Sequence, residues 1–408
     1  MHRLRTVRRT FCTAALLLLA APAHAGIVFT PHLSEYGRLP PGQYTEATLI
    51  LTEIEHIYDE NGDKIQIGQP FVSAGASTDA SLALLKYLWV GNVFRDTSVW
   101  YLKDHPQFCR VIGVLGYQQN TEQVGDRTRV FGAKAGGNGP GDAFGLCGVY
   151  GDEHRFGPLQ FNGLLATTVK APVGRYDTDA VLNIGTNYWS VIPQFAFHSK
   201  LWGRLWIDGT FAYQFNGDND KPSFLGLTPT DIANWRNYEV NVAWKFTEHW
   251  FFDVGYGYRE SVGPNRYEKV NISNEEPVNA EDNCILLGID RNGPECNSTN
   301  RFFVQSKPGP YEDKGIDGTL LTAGIYYIYR TSSVFQIRVA QPIAGHGSQI
   351  TALLDVYNAV PDNNGGYTRG NTTVAVDRPS KQYGVQEAAA VSASPFLELR
   401  FVYLFWAP

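Results

Sequence analysis

The stretch Arg236 to Glu260, RNYEVNVAWKFTEHWFFDVGYGYRE, restricts the fold more than any other part of the chain. Tyr238, Val240, Val242, Trp244 and Phe246 fall on one face of a strand, and Asn237, Glu239, Asn241, Ala243 and Lys245 on the other. After a break at Thr247, Glu248 and His249, Trp250, Phe252, Val254, Tyr256 and Tyr258 oppose Phe251, Asp253, Gly255, Gly257 and Arg259. Side chains alternate faces along a strand, so this is a hairpin with one apolar and one mostly polar surface. A soluble sandwich would turn the apolar face to a protein core. A membrane barrel inverts the directions, with aromatics toward lipid and charges toward a wet lumen. The hairpin alone does not choose between them.

The ends of the chain favour the barrel. Arg3, Arg5, Arg8 and Arg9, the apolar FCTAALLLLAA and Ala23-His24-Ala25 read as a cleaved signal peptide over residues 1–25. Arg8-Arg9-Thr10-Phe11 also resembles a twin-arginine signal. Residues 26–408 are then one exported domain. They contain no apolar run long enough for a transmembrane helix. The final PFLELRFVYLFWAP sets Leu397, Leu399, Phe401, Tyr403 and Phe405 against Glu398, Arg400, Val402, Leu404 and Trp406. An alternating, aromatic-rich last strand is what an outer-membrane barrel presents to its assembly machinery.

The connections are sorted by length. Short ones are expected at Ser199–Trp202, Thr247–His249 and Thr331–Ser333, and long loops near 118–158, 217–235, 261–318 and 345–394. Short turns alternating with long loops indicate an up-and-down barrel. The fold class is therefore all-β, a transmembrane antiparallel up-and-down barrel of roughly 12 strands, in the outer membrane of a Gram-negative bacterium. The aromatic content of 13% and the 41 glycines suit strands and turns, and 34 basic against 40 acidic residues give nothing that would attract nucleic acid.

In that frame Phe211, Tyr213, Tyr238, Trp244, Trp250, Phe252, Tyr256, Tyr258, Phe401 and Phe405 are expected to face lipid. Arg204, Asp208, Glu239, Lys245, Asp253, Arg259, Arg338, Glu398 and Arg400 are expected to line the lumen. Such charges read either as salt bridges that fill the interior or as a conduit that selects what passes. Of the mature cysteines, Cys284 is expected to pair with Cys296 and Cys109 with Cys147, as oxidised pairs of an exported protein rather than metal ligands. Asp59 to Asp63 and Asn216 to Asp220 read as turns in preference to calcium loops. No G-x-S-x-G or comparable triad spacing is present, and no metal or cofactor is expected.

Leu39 to Tyr44 (LPPGQY), YDENGDKI at Tyr58 to Ile65, VKAPVGRYD, LNIGTNYWSVIPQFAF and LWIDGTFAYQFNGDND together resemble the outer-membrane proteins grouped as the "meta-pathway of phenol degradation" family. The resemblance runs from about Leu39 to Arg338, without Glu122 to Arg155. It implies a barrel passing small compounds, hydrophobic or aromatic ones among them, and it supplies no binding residues. A channel is accordingly expected, with outer-membrane lipid and a small solute as partners, and with sideways release through the wall as one route. The alternative is a closed barrel whose disulfide-bearing loops bind an external partner.

Overall fold

The structure, a computed structural model, describes residues 39–58, 61–66, 77–92, 105–120, 136–178, 183–221, 229–267, 278–279, 301–306, 311–312, 315–329, 333–347, 350–351, 354–363, 365–372, 384–385 and 391–406. The signal-peptide expectation, Cys284, Cys296, Asp59, Glu60 and the Phe405 side chain lie outside the described residues.

Twelve antiparallel strands close into a ring. In chain order these are β1 (Gly42–Ile54), β2 (Thr78–Gly91), β3 (Gln107–Asn120), β4 (Ala143–Tyr150), β5 (Leu159–Ala171) and β6 (Ser190–Leu201). They continue with β7 (Leu205–Asn216), β8 (Asn234–Lys245), β9 (Trp250–Val262), β10 (Asp317–Tyr329), β11 (Ser333–His346) and β12 (Phe396–Trp406). Each pairs with its neighbour in sequence, and β12 returns to β1 from Gln43↔Trp406 to Thr52↔Phe396. A closed ladder satisfies the N–H and C=O groups that an edge would leave bare, and hydrocarbon offers no water to do so.

The connections sort to the two ends. Turns Trp202–Arg204 and Phe246–His249 join β6 to β7 and β8 to β9, and a short link at 330–332 joins β10 to β11. At the first, Trp202 (φ 51°) and Gly203 (φ 68°) are both left-handed, the backbone that matches the twist of a tight hairpin. All six connections at the opposite end, beginning with residues 55–77, are longer.

Two expectations about the loops change. The segment near 118–158 is not one loop. It holds β4 and, ahead of it, the strand Gly136–Pro140, which extends the same pairing along β3. Its glycine-rich sequence hid the alternation. The loops near 261–318 and 345–394 also carry strands, since Arg301–Ser306 pairs with Leu354–Pro361 and that with Tyr367–Thr372. The expected Asn-Gly turn joins His56–Tyr58 to Lys64–Gln66, with Gly62 at φ 83°.

Exposure settles which face is which. On β8 and β9, Tyr238, Trp244, Trp250, Phe252 and Tyr256 are exposed, whereas Glu239, Asn241 and Asp253 are buried. A closed ring has no second sheet to cover an apolar face, so these aromatics form the outer surface. The same surface continues through Phe211, Phe335, Ile337 and Phe401. Apolar outside and charged inside is the polarity of a barrel dissolved in lipid, of the outer-membrane type.

Val242 sits mid-band, opposite Val254. Val242→Arg should destabilise the barrel by about 2–4 kcal/mol if it lies at the bilayer midplane, and Val242→Ala by much less, as read from denaturant unfolding in lipid vesicles. Asn241 is no mild control for this test, because it is fully buried and accepts a hydrogen bond from Arg338.

Candidate functional site: the barrel lumen

The inward side chains of β8 to β11 form a network around Arg338. Its guanidinium leaves β11, crosses β10 over Gly324, and reaches Asp253 on β9 through Nε at 3.2 Å and Nη2 at 2.7 Å. Nη2 also donates to Asn241 Oδ1 on β8 at 3.0 Å. Two glycines make this crossing possible. A Cβ on Gly324 would meet Asp253 Oδ1 at 2.5 Å, and one on Gly255 would meet Thr322 Oγ1 at 2.4 Å. Glu398 stands opposite Arg338 in the β11–β12 ladder. Arg338 and Asp253 are wholly buried, so the charges here are packed together and do not line an open bore.

A second ionic group stitches the seam where the last strand meets the first. Glu46 on β1 accepts from Arg400 of β12 at both oxygens, at 2.6 and 2.7 Å, and from Lys86 of β2 at 2.7 Å. The fork geometry of Arg400 suits a bidentate carboxylate. On β6 and β7, His198 Nδ1 lies 2.5 Å from Asp208 Oδ1, with Trp206 edge-on to the imidazole.

Between buried polar residues such as Gln107, Asn162 and Lys170, the β1 to β6 side of the interior holds apolar clusters. Tyr44, Val90, Phe108, Leu146, Tyr150, Leu164, Ala166 and Ala196, from β1 to β6, pack into one cluster with Leu88 and Leu404. Each is an inward position of its strand, since the alternate residues Leu85, Tyr87, Val111 and Leu165 are exposed on the outside. A smaller cluster toward the long-loop end joins Ile50 and Leu82 to Ile184 from the β5–β6 connection. The Arg400–Glu46–Lys86 group separates the two.

The β5–β6 connection is held in the mouth of the barrel. Asp142, just before β4, accepts from the backbone of Gly174 at 3.1 Å, the backbone of Thr186 at 3.0 Å and the Thr186 hydroxyl at 2.6 Å. Gly174 and Gly185 cross so closely that a Cβ on either would meet the other's backbone at 2.7 Å. This fold-back sets Tyr188 over Lys170, whose Nζ is 3.4 Å from the ring centre. Burial pushes the Tyr188 phenol above its ordinary range. Asn219 fastens the neighbouring β7–β8 connection by accepting from Asn187 at 2.7 Å and donating to Tyr176 at 3.3 Å. Within NGDND only Asn219 is buried, while Gly217, Asp218 and Asp220 are exposed, so this is a solvated turn anchored at one residue.

One ladder of the wall is short, and side-chain hydrogen bonds from Gln341 to Ala393 O and from Tyr58 to Pro342 O lie at its end. The β11–β12 ladder stops at Ala340↔Phe396, although β11 runs on to His346. Pro342 and Pro395 flank that end, and neither has an N–H to extend the ladder. A shallow groove of about 600 Å³ lies there, lined by Leu51, Thr52, Val339, Pro395, Phe396 and Leu397 among others.

The structure places the candidate residues as follows. Asp208, Glu239, Asp253, Arg338, Glu398 and Arg400 are buried in the interior, Arg259 is partly so, and Lys245 ends its strand beside Phe251. Arg204 departs from the expectation. The β6–β7 turn falls on Trp202–Arg204, not Ser199–Trp202, so Arg204 is exposed at the barrel's end. On the outside Phe211, Tyr238, Trp244, Trp250, Phe252, Tyr256 and Phe401 are exposed, and Tyr213 and Tyr258 half-buried. Cys109 and Cys147 are joined, and they sit directly opposite each other on β3 and β4. That bond is therefore in the wall and not in an external loop. Glu46, Lys86, Asp142, Lys170 and the apolar cluster were not singled out from the sequence.

Arg338→Met should cost about 3–5 kcal/mol, because it strips a buried carboxylate of its guanidinium. Adding Asp253→Leu should recover most of that loss, and unfolding midpoints of the singles and the double give the coupling.

With this geometry in view, comparisons with known proteins become informative. Over 92% of this chain and 100% of its own length, the COG4313 outer membrane channel from Pseudomonas putida F1 superposes with a TM-score of 0.52 at 14% identity, which shows a common fold. Weaker likenesses are to outer membrane phospholipase A from Escherichia coli (TM-score 0.33, 6% identity, 92% of this chain and 94% of that one). Another is to a TodX monoaromatic hydrocarbon channel mutant (TM-score 0.31, 8% identity, 95% and 98%). Neither carries an argument at that distance. No curated protein matches the sequence. Residues 158–280, which span β5 to β9, match the family described as "Putative MetA-pathway of phenol degradation".

Proposed function

We propose that the barrel passes small, largely apolar or aromatic compounds by passive diffusion, along the apolar wall of β1 to β6 and not through a wide aqueous bore. The observation that carries this reading is the division of the lumen. One wall is the cluster around Tyr44, Phe108, Tyr150 and Leu164. The other holds buried charges, with Arg338 and Asp253 paired and wholly shielded from solvent. A hydrated ion gains nothing from the first wall and is hindered by the packing of the second. An apolar solute gains roughly 25 cal/mol for each Å² it removes from water against the cluster. The interrupted ladder between β11 and β12 offers such a solute a sideways exit toward lipid, beside Phe396. The charged groups set the field that any permeating species feels, since screening inside a narrow bore is poor.

The test is uptake and current measured on one preparation. In proteoliposomes, benzyl alcohol or toluene should enter faster than into empty vesicles. In planar bilayers the same protein should pass only small ionic currents, and Asp253→Asn or Asp208→Asn should alter their ion selectivity. Large ohmic currents without solute uptake would make it a hydrophilic pore. Neither current nor uptake above empty membranes would end the channel reading and leave external binding by the loops.

A further inference from the structure

Near the long-loop end of the lumen, Arg259 and Trp235 form a pair that the charged network does not include. The Arg259 guanidinium carbon lies over the Trp235 indole, 3.8 Å from the ring centre. Such stacking is worth more where water is excluded. It also leaves the edge of a guanidinium free to meet a planar anion. Arg259 forms no ion pair with any described residue, and its Nε is shielded from solvent without an acceptor. The indole Nε1 of Trp235 is likewise a buried donor without an acceptor. Each such group carries a desolvation cost that a bound acceptor would remove. Two unanswered donors in one stack, one of them cationic, describe the complement of an anion.

The surroundings limit which anion fits. Lys170 is close enough for its charge and that of Arg259 to oppose each other, and its ammonium is engaged by Thr186 and the Tyr188 ring. Of the two nearby carboxylates, Asp142 is engaged by three donors from Gly174 and Thr186. Glu239 lies within electrostatic reach of Arg259 without forming an ion pair with it. Two aromatic rings are near, Trp235 against the Arg259 guanidinium and Tyr188 within electrostatic reach of it. From this juxtaposition we infer that the mouth of the lumen holds a binding site for a small aromatic carboxylate. Its carboxylate is received by Arg259 and the Trp235 indole N–H, and its ring lies among Tyr188 and Trp235. This rests on the channel reading and narrows its substrate class to organic acids, which a purely apolar lumen would reject.

The experiment compares benzoate with benzyl alcohol, a neutral molecule of similar ring, by equilibrium dialysis against the folded protein in an uncharged detergent. Wild type should hold benzoate at least about tenfold more tightly than benzyl alcohol, the gain expected of a charge-assisted contact. Arg259→Gln should abolish that preference, weakening benzoate far more than benzyl alcohol. Trp235→Phe, which keeps an aromatic face but removes the indole N–H along with the second ring, should weaken benzoate by a few-fold. Retained heat-modifiable migration identifies the variants that are folded, and Trp235→Phe carries the test if Arg259→Gln is not among them. Equal affinities in wild type, or losses that strike both compounds alike, would overturn the site. Proteoliposome uptake keeps the two readings apart. Entry of benzyl alcohol without any benzoate preference removes the site and keeps the channel. Benzoate preference without uptake of either compound keeps the site and removes the channel.

Discussion

Closure of the hydrogen-bonded ring is the constraint on which the rest depends. In lipid every backbone N–H and C=O must find its partner inside the protein, so the last strand has to return to the first. Here β12 pairs with β1 over nearly its whole length, and Glu46 binds Arg400 and Lys86 across that seam. Once the ring is closed, the two-residue period of a strand fixes everything else. Each side chain is either in or out, and a one-residue slip would exchange lipid-facing aromatics for charges. Above Ala340↔Phe396 the β11–β12 ladder stops beside two prolines that cannot donate to it.

What fills the ring is divided. A barrel of twelve strands is wider than its own short side chains can span, so its lining is built from clusters along the wall. On β8 to β11 Arg338 reaches across two neighbouring strands, lying over Gly324 and beside Gly255. On the neighbouring strands β3 and β4, Phe108 and Tyr150 meet with ring centres 4.8 Å apart. Buried ion pairs confer shape more than stability, since desolvation offsets much of their attraction. Their worth here is to hold one wall rigid and polar while the facing wall stays dry and apolar. That asymmetry, more than the charges alone, is what gives a small apolar solute a preferred side.

Much of the wall was legible in the sequence. From β6 onward the outer face is aromatic and the inner face polar, so the alternation of Tyr238, Trp244 and Phe252 against Glu239 and Asp253 reveals both period and direction. The first half was much harder to read for a physical reason. Where the lumen is apolar, as along LALLKYLWV of β2, both faces are hydrophobic and the alternation vanishes. β4 was hidden further by glycines, which carry no side chain to alternate. Arg204 shows the other limit, because a turn shifted by two residues moves a charge from the lumen to the barrel's end. The contacts of Glu46 and Asp142 join residues far apart in sequence, by way of strand neighbours that only the closed topology defines.

The central claim is the direction of the wall, with aromatics in lipid and charges enclosed. The most direct measurement is the collision rate of spin labels, placed singly at successive positions from Tyr238 to Trp244 in lipid bilayers, with dissolved oxygen and with a water-soluble nickel chelate. Oxygen collisions should peak at 238, 240, 242 and 244, with the chelate excluded most completely around Val242, and the intervening positions should be poorly reached by either reagent. Chelate collisions peaking at 238, 240, 242 and 244 would place the aromatic face in water and contradict the account.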